Sequence, residues 1–161
     1  GLIRSASKIS NWEKALPAAT QILNMTGAPS DDKMMANFVM AKTKQTAASL
    51  DTALAYYKEV IASGKSEFSA EAKYRQAQIL FLQNQLDASE KCAFEQIKGW
   101  GSYEYWVTKS YVLLGDIYSK QKDYFNAEAT FQSVVANSTF EDLKKEAQEK
   151  LAQVITEKVK K

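Results

Sequence analysis

Small residues recur along this chain at a nearly constant interval, and that recurrence restricts the fold more than any other feature. Ala15, Ala53, Ser89 and Ala127 stand 38, 36 and 38 residues apart, while a second series, Ala41, Ala77 and Gly115, steps by 36 and 38. Ala152 follows Gly115 after 37 more. Two series with one period predict tandem supersecondary units, each too small to bury its apolar face without a neighbour. Three residues before each member of the first series stands a large apolar residue, Trp12, Leu50, Leu86 or Tyr124, placed to wedge into a turn between two helices.

The units read as helical. Two prolines in 161 residues, abundant Ala, Leu, Lys, Glu and Gln, and few β-branched runs favour helix almost throughout. The clearest unit spans 105–135, where Tyr111, Leu114, Gly115 and Tyr118 precede Tyr124, Ala127, Phe131 and Val134. Spacings of three and four put each set on one side of a helix, and small Gly115 and Ala127 let two backbones approach. An antiparallel helix pair with a turn at Lys122 and Asp123 follows. Gly27, Gly64 and Gly99 fall after second helices, where a left-handed terminating residue is expected. Ser30, Ser66 and Thr139 are the expected N-caps, with Thr139-x-x-Asp142 as a capping box.

The expected fold is therefore all-α, an α–α superhelix of about nine helices in one array over 1–161. A partial repeat covers 1–26, full repeats cover 30–64, 66–99 and 103–137, and a capping helix and tail cover 139–161. Residues 1–8 read as the remnant of a first helix, so the natural chain is expected to continue upstream. Pro17 should kink the following helix or loosen its first turns. Residues 141–158 form one amphipathic helix carrying Leu151, Ala152 and Ile155.

The unit Y-x2-L-G-x2-Y followed by A-x3-F resembles the tetratricopeptide repeat, whose W-x2-L-G-x2-Y…A-x3-F…P signature marks a helix–turn–helix of 34 residues. Met40-Ala41 with Ala53-x3-Tyr57 is a fair match, and Gln76-Ala77-x2-Leu80 with Ser89-x3-Ala93 a weaker one. Thr139 stands where the family proline falls, and the longer period implies longer turns between repeats. The wording of residues 71–77 and 121–127 is similar to tetratricopeptide proteins of the bacterial cell envelope, including those like Tol–Pal accessory proteins. A periplasmic or outer-membrane-associated location is what that similarity implies.

Catalytic chemistry finds little here. Histidine is absent and cysteine occurs once, which excludes Ser/His/Asp and Cys/His catalysis, His-containing zinc sites and disulfide frameworks within the chain. Asp31-Asp32 and Glu141-Asp142 read as first-turn acids complementing helix dipoles, and Cys92 as a small buried hydrophobe. No Gly-rich phosphate loop occurs. The chain reads as a non-enzyme without cofactor or metal. Twenty-one basic against nineteen acidic residues, with no basic block, argue against nucleic acid, and no apolar run approaches a membrane span.

The resemblance implies a concave groove lined by outward positions of each first helix, holding a protein or peptide. Counting from the small residues, the groove comprises Met35, Phe38, Lys42 and Gln45, then Glu71, Tyr74, Gln78 and Phe81, then Lys109, Val112, Asp116 and Ser119, with Arg75 at its edge. Phe38, Tyr74 and Phe81 would form its apolar strip, or else pack between repeats. Family members that clamp a C-terminal carboxylate use Lys, Asn and Arg where this chain has Phe38, Lys42, Arg75, Lys109 and Leu113. Only Lys109 agrees, so that ligand is not expected. The aromatics of 100–106 are expected to fill the junction between two repeats. The leading expectation is an interaction scaffold; the alternative is a self-association module working through exposed array ends.

Overall fold

A computed structural model describes residues 11–160, and all regular structure among them is helical. Eight helices follow in order: α1 Trp12–Asn24, α2 Ser30–Thr46, α3 Leu50–Ala62, α4 Glu67–Leu82, α5 Leu86–Gly99, α6 Glu104–Lys120, α7 Tyr124–Asn137 and α8 Glu141–Val159. The expected remnant helix at 1–8 lies outside the described residues. First helices α2, α4, α6 and α8 start at Ser30, Glu67, Glu104 and Glu141, a step of 37 each time. The second helices α1, α3, α5 and α7 open on Trp12, Leu50, Leu86 and Tyr124, the four wedge residues.

The described residues divide between Gln76 and Ala77, within α4, into two compact units. In the first, α1 packs on α2 and α2 on α3. Ala15, Ala19, Met35, Ala36 and Val39 form a core there, with Trp12, Ile22 and Phe68 against it. In the second, α5, α6, α7 and α8 pack in sequence and α6 also meets α8. Its core joins Val112, Ala127, Phe131, Val134, Ala147 and Val154. The small residues act as the period requires. Ala15, Ala41, Ala53, Ala77, Ser89 and Ala127 are fully buried, and Ser89 Oγ donates to the Ala77 carbonyl at 2.7 Å. A Cβ on Gly115 would lie 2.5 Å from Phe131 Cζ, so no larger residue fits without displacing that ring.

Each hairpin within a repeat turns through three residues whose middle member is left-handed: Ala48, Asn84 and Lys122, with φ 59°, 60° and 62°. The amide after each reaches back five residues, from Ser49 to Lys44, Gln85 to Leu80 and Asp123 to Tyr118, at 2.9 Å. These bonds satisfy carbonyls at the helix ends and offset the strain of a non-glycine residue at positive φ. Between repeats, Gly27 and Gly64 take positive φ as expected. Gly99 does not: it is the last residue of α5, and Trp100 closes the helix with its amide on Gln96.

Ser66 bears out its capping role, accepting from Ser69 N at 3.1 Å while Ser66 N donates to Ser69 Oγ at 2.8 Å. Ser30 and Thr139 do not cap: α2 is preceded by Pro29, α8 by Phe140, and neither has a side-chain cap bond. Asp142 instead accepts from Tyr105 Oη at 2.8 Å. The Tyr105 ring meets Trp106 and Phe140 edge-on at 5.1 and 5.2 Å, and Trp100 is buried, so these aromatics fill a junction. Helix α1 runs unbroken through exposed Pro17. In α8 the buried residues are Leu143, Ala147 and Val154, whereas Ala152 and Ile155 are exposed. Gly115 is covered by α7; among the described residues no helix takes the corresponding place over Ala152.

Candidate functional site

The register of the first helices is common to all three groove segments. Three residues before the small residue stand Phe38, Tyr74 and Val112; one after it, Lys42, Gln78 and Asp116; four after it, Gln45, Phe81 and Ser119. Six before it stand Met35, Glu71 and Lys109. Three residues rotate a helix by about 300°, so Phe38, Tyr74 and Val112 lie within about 60° of the buried small residue and inside the apolar arc. They are 1%, 5% and 3% exposed. Phe38 and Tyr74 are therefore core side chains rather than open groove anchors, and Met35 is buried with them. The positions after the small residue are half-buried, as are Glu71, Arg75 and Lys109.

In the first unit these residues satisfy one another. Phe38 meets Trp12, Tyr57 and Phe68 edge-on at 5.6, 6.4 and 5.2 Å. Lys42 Nζ lies 2.6 Å from Glu71 Oε1 and 5.3 Å above the Trp12 ring, and Arg75 Nε donates to the same carboxylate oxygen at 3.1 Å. The Arg75 guanidinium is 5.5 Å from the Tyr74 ring centre. Tyr57 Oη donates to Gln45 Oε1 at 2.6 Å. Burial pushes the Tyr57 phenol far above its ordinary range, with nearby Arg75 opposing and Glu71 adding, so it remains a neutral donor.

The second unit is more open. Gln78 is half-buried on α4, and the Lys120 ammonium sits 5.0 Å above the half-buried Phe81 ring. Asp116 Oδ2 accepts from Lys150 Nζ at 2.6 Å, and Lys150 also meets Glu146 at 3.0 Å. Burial raises the Asp116 carboxyl above its ordinary value, more than the attraction and hydrogen bond of Lys150 lower it. Burial disfavours the Lys150 cation, but Asp116 and Glu146 reverse that and raise it. Ser119 Oγ donates to the Gly115 carbonyl at 2.8 Å and keeps its acceptor capacity.

Asp116 and Ser119 open on a cleft of about 260 Å³, walled by Tyr124 and Phe131 of α7 and by Lys150, Gln153, Val154 and Glu157 of α8. A second cleft of about 160 Å³ lies between Val107, Thr108 and Tyr111 of α6 and Ser133, Val134 and Asn137 of α7, with Ser138 just beyond its end. The α8 wall was not among the expected groove residues. Its signal was present: counting one residue past Ala152 gives Gln153, the position held by Lys42, Gln78 and Asp116 in the other first helices. Reading α8 only as a cap hid it.

Chemically the larger cleft combines apolar side chains with opposed charges. No group of three or more His, Cys, Asp or Glu residues placed to hold a metal occurs among the described residues, and no described helix is long and apolar enough to cross a membrane. Comparison with known protein families, curated proteins and solved structures finds no match to this chain.

Proposed function

We propose that this chain is a noncatalytic tetratricopeptide-like scaffold that holds a peptide segment or partner subunit along its first-helix positions. The observation that supports it is the cleft at Asp116 and Ser119, residues chosen by repeat register, which stand beside a half-apolar space rather than in the core. The envelope-like wording of the repeats makes a bacterial periplasmic or outer-membrane-associated location part of the same proposal. An unbiased peptide library screened against the full chain tests the function. Peptides whose binding is lost in Asp116→Ala or Gln153→Ala, at unchanged melting temperature, support it, whereas a library without binders overturns it.

A second reading, a structural self-association module, draws on α8. Leu151, Ala152 and Ile155 repeat the register of Leu114, Gly115 and Tyr118, yet Ala152 and Ile155 are exposed. Sedimentation over a range of concentrations separates the readings. Association abolished by Ile155→Glu favours the module, and a concentration-independent monomer removes it.

A further inference from the structure

The cleft between α6 and α8 is specific in size and charge. At about 260 Å³ it falls below the roughly 300–1,000 Å³ of sites that enclose cofactor-sized molecules, so one side chain is the fitting occupant. Its lining joins the apolar rings and chain of Tyr124, Phe131 and Val154 to the charged Asp116, Lys150 and Glu157. Lys150 is shared between two carboxylates, Asp116 and Glu146, which leaves that trio with one net negative charge. Among the described residues Glu157 is paired with Lys160, whose side chain is 66% exposed and readily displaced. Lys150 can keep Glu146 when another cation takes Asp116.

These features rank the possible side chains. An acidic one would meet two lining carboxylates, Asp116 and Glu157, against one lysine already engaged. A purely apolar one would strip more water from Asp116 without a replacement partner. Burial already disfavours that carboxylate in spite of Lys150 and Lys109, so a further cation would be favourable there. A guanidinium suits the site better than an ammonium: its plane can fork onto a carboxylate and lie on an aromatic face, it is less strongly hydrated, and its stem is apolar.

We propose that this cleft is the anchor subsite for an arginine side chain of the bound peptide, with the guanidinium on Asp116 and Glu157 and the stem on Tyr124, Phe131 and Val154. The proposal rests on the scaffold reading above.

The test uses the full chain, isotope-labelled, titrated with acetylated and amidated pentapeptides of alanine with arginine, citrulline, lysine or leucine at the centre, and with free agmatine. The arginine peptide is expected to shift the amide resonances of Asp116, Ser119, Gln153 and Glu157. The citrulline peptide should bind at least about tenfold more weakly, since it keeps the shape and loses the charge. Glu157→Gln, on an exposed residue, should weaken the arginine peptide with its melting temperature unchanged, and Asp116→Asn should weaken it further. Citrulline binding as tightly as arginine, or no effect of either variant, overturns the arginine subsite while leaving the scaffold reading intact. Agmatine binding as tightly as the arginine peptide overturns the peptide source of the guanidinium. Failure of every pentapeptide together with the unbiased library brings down the scaffold reading itself.

Discussion

The same register position is used in opposite ways in the two units. One residue past the small residue, Lys42 in the first unit reaches Glu71 on the next first helix, while Asp116 in the second reaches Lys150 on α8. Lys42 is closed over by the Trp12 and Phe38 rings, 5.3 and 5.8 Å away. Asp116 instead borders a cleft, and the position three residues before its small residue holds Val112 where the first unit has Phe38. A repeat fixes where backbone and small residues meet; side-chain volume and charge sign then decide whether a position becomes a lock or an opening.

The largest test of that contrast is to remove the fillings. Phe38→Ala and Phe131→Ala should each cost about 3–5 kcal/mol through cavity formation, read from urea unfolding. Phe38, a groove candidate by register, should thus behave like Phe131, a core residue by any reading. A cost below about 1 kcal/mol for Phe38→Ala, the range of surface sites, would return it to the groove. Gly115→Ala should cost about 1–3 kcal/mol, because the new methyl must push the Phe131 ring aside. An unchanged unfolding midpoint would mean that α6 and α7 have room to separate.

A polar contact between α5 and α6 gives a smaller effect with a diagnostic sign. Fully buried Gln96 accepts from Ser110 Oγ at 3.0 Å, while its amide nitrogen has no hydrogen-bond partner among the described residues. Ser110→Ala should cost about 1–3 kcal/mol, since it leaves the Gln96 carbonyl unpaired as well. Adding Gln96→Leu should recover most of that loss, because both unsatisfied groups disappear together. A double variant as unstable as the sum of its parts would show that shape, not hydrogen bonding, holds the pair.

The register of this fold was legible because small residues and wedges are dictated by backbone approach. Trp12, Leu50, Leu86 and Tyr124 open four helices, and the two small-residue series lie at helix contacts. What the sequence hid depends on geometry that composition does not encode. Left-handed turns at Ala48, Asn84 and Lys122 are held by backbone hydrogen bonds and need no glycine, so the glycines pointed to the ends between repeats instead. Asp142 resembled half of a capping box until Tyr105, 37 residues earlier, claimed its carboxylate. The groove was half legible: the positions after each small residue are half-buried, but those three before it turn inward. The helical angle alone does not separate the two sets: Phe38 and Tyr74 lie about 60° from the small residue, yet Gln45 and Phe81, four residues after it and about 40° away, stay half-buried.

The smallest effect concerns Asp116 and bears on whether it guards an opening or closes a lock. Its folded pKa is raised from the ordinary 3.8 by burial, which outweighs the attraction of Lys150 and of Lys109, with Glu146 adding to the rise. A carboxyl that holds its proton longer in the fold contributes stability in full below its unfolded pKa, and that contribution is lost as pH rises through the folded value. Lys150, itself raised, is charged in both states across this window and changes its contribution only in the alkaline range. The stability of the parent relative to Asp116→Asn should therefore decline as pH is raised from about 3.8 toward neutrality, measured as the difference in urea midpoint. Asparagine keeps the shape and cannot ionise, so groups elsewhere cancel in the difference. A relative stability that climbs over the same window would mean that Lys150 more than offsets the burial of Asp116. The pair would then be a lock like Lys42 and Glu71, and the cleft would lose the carboxylate that makes it receptive to a further cation.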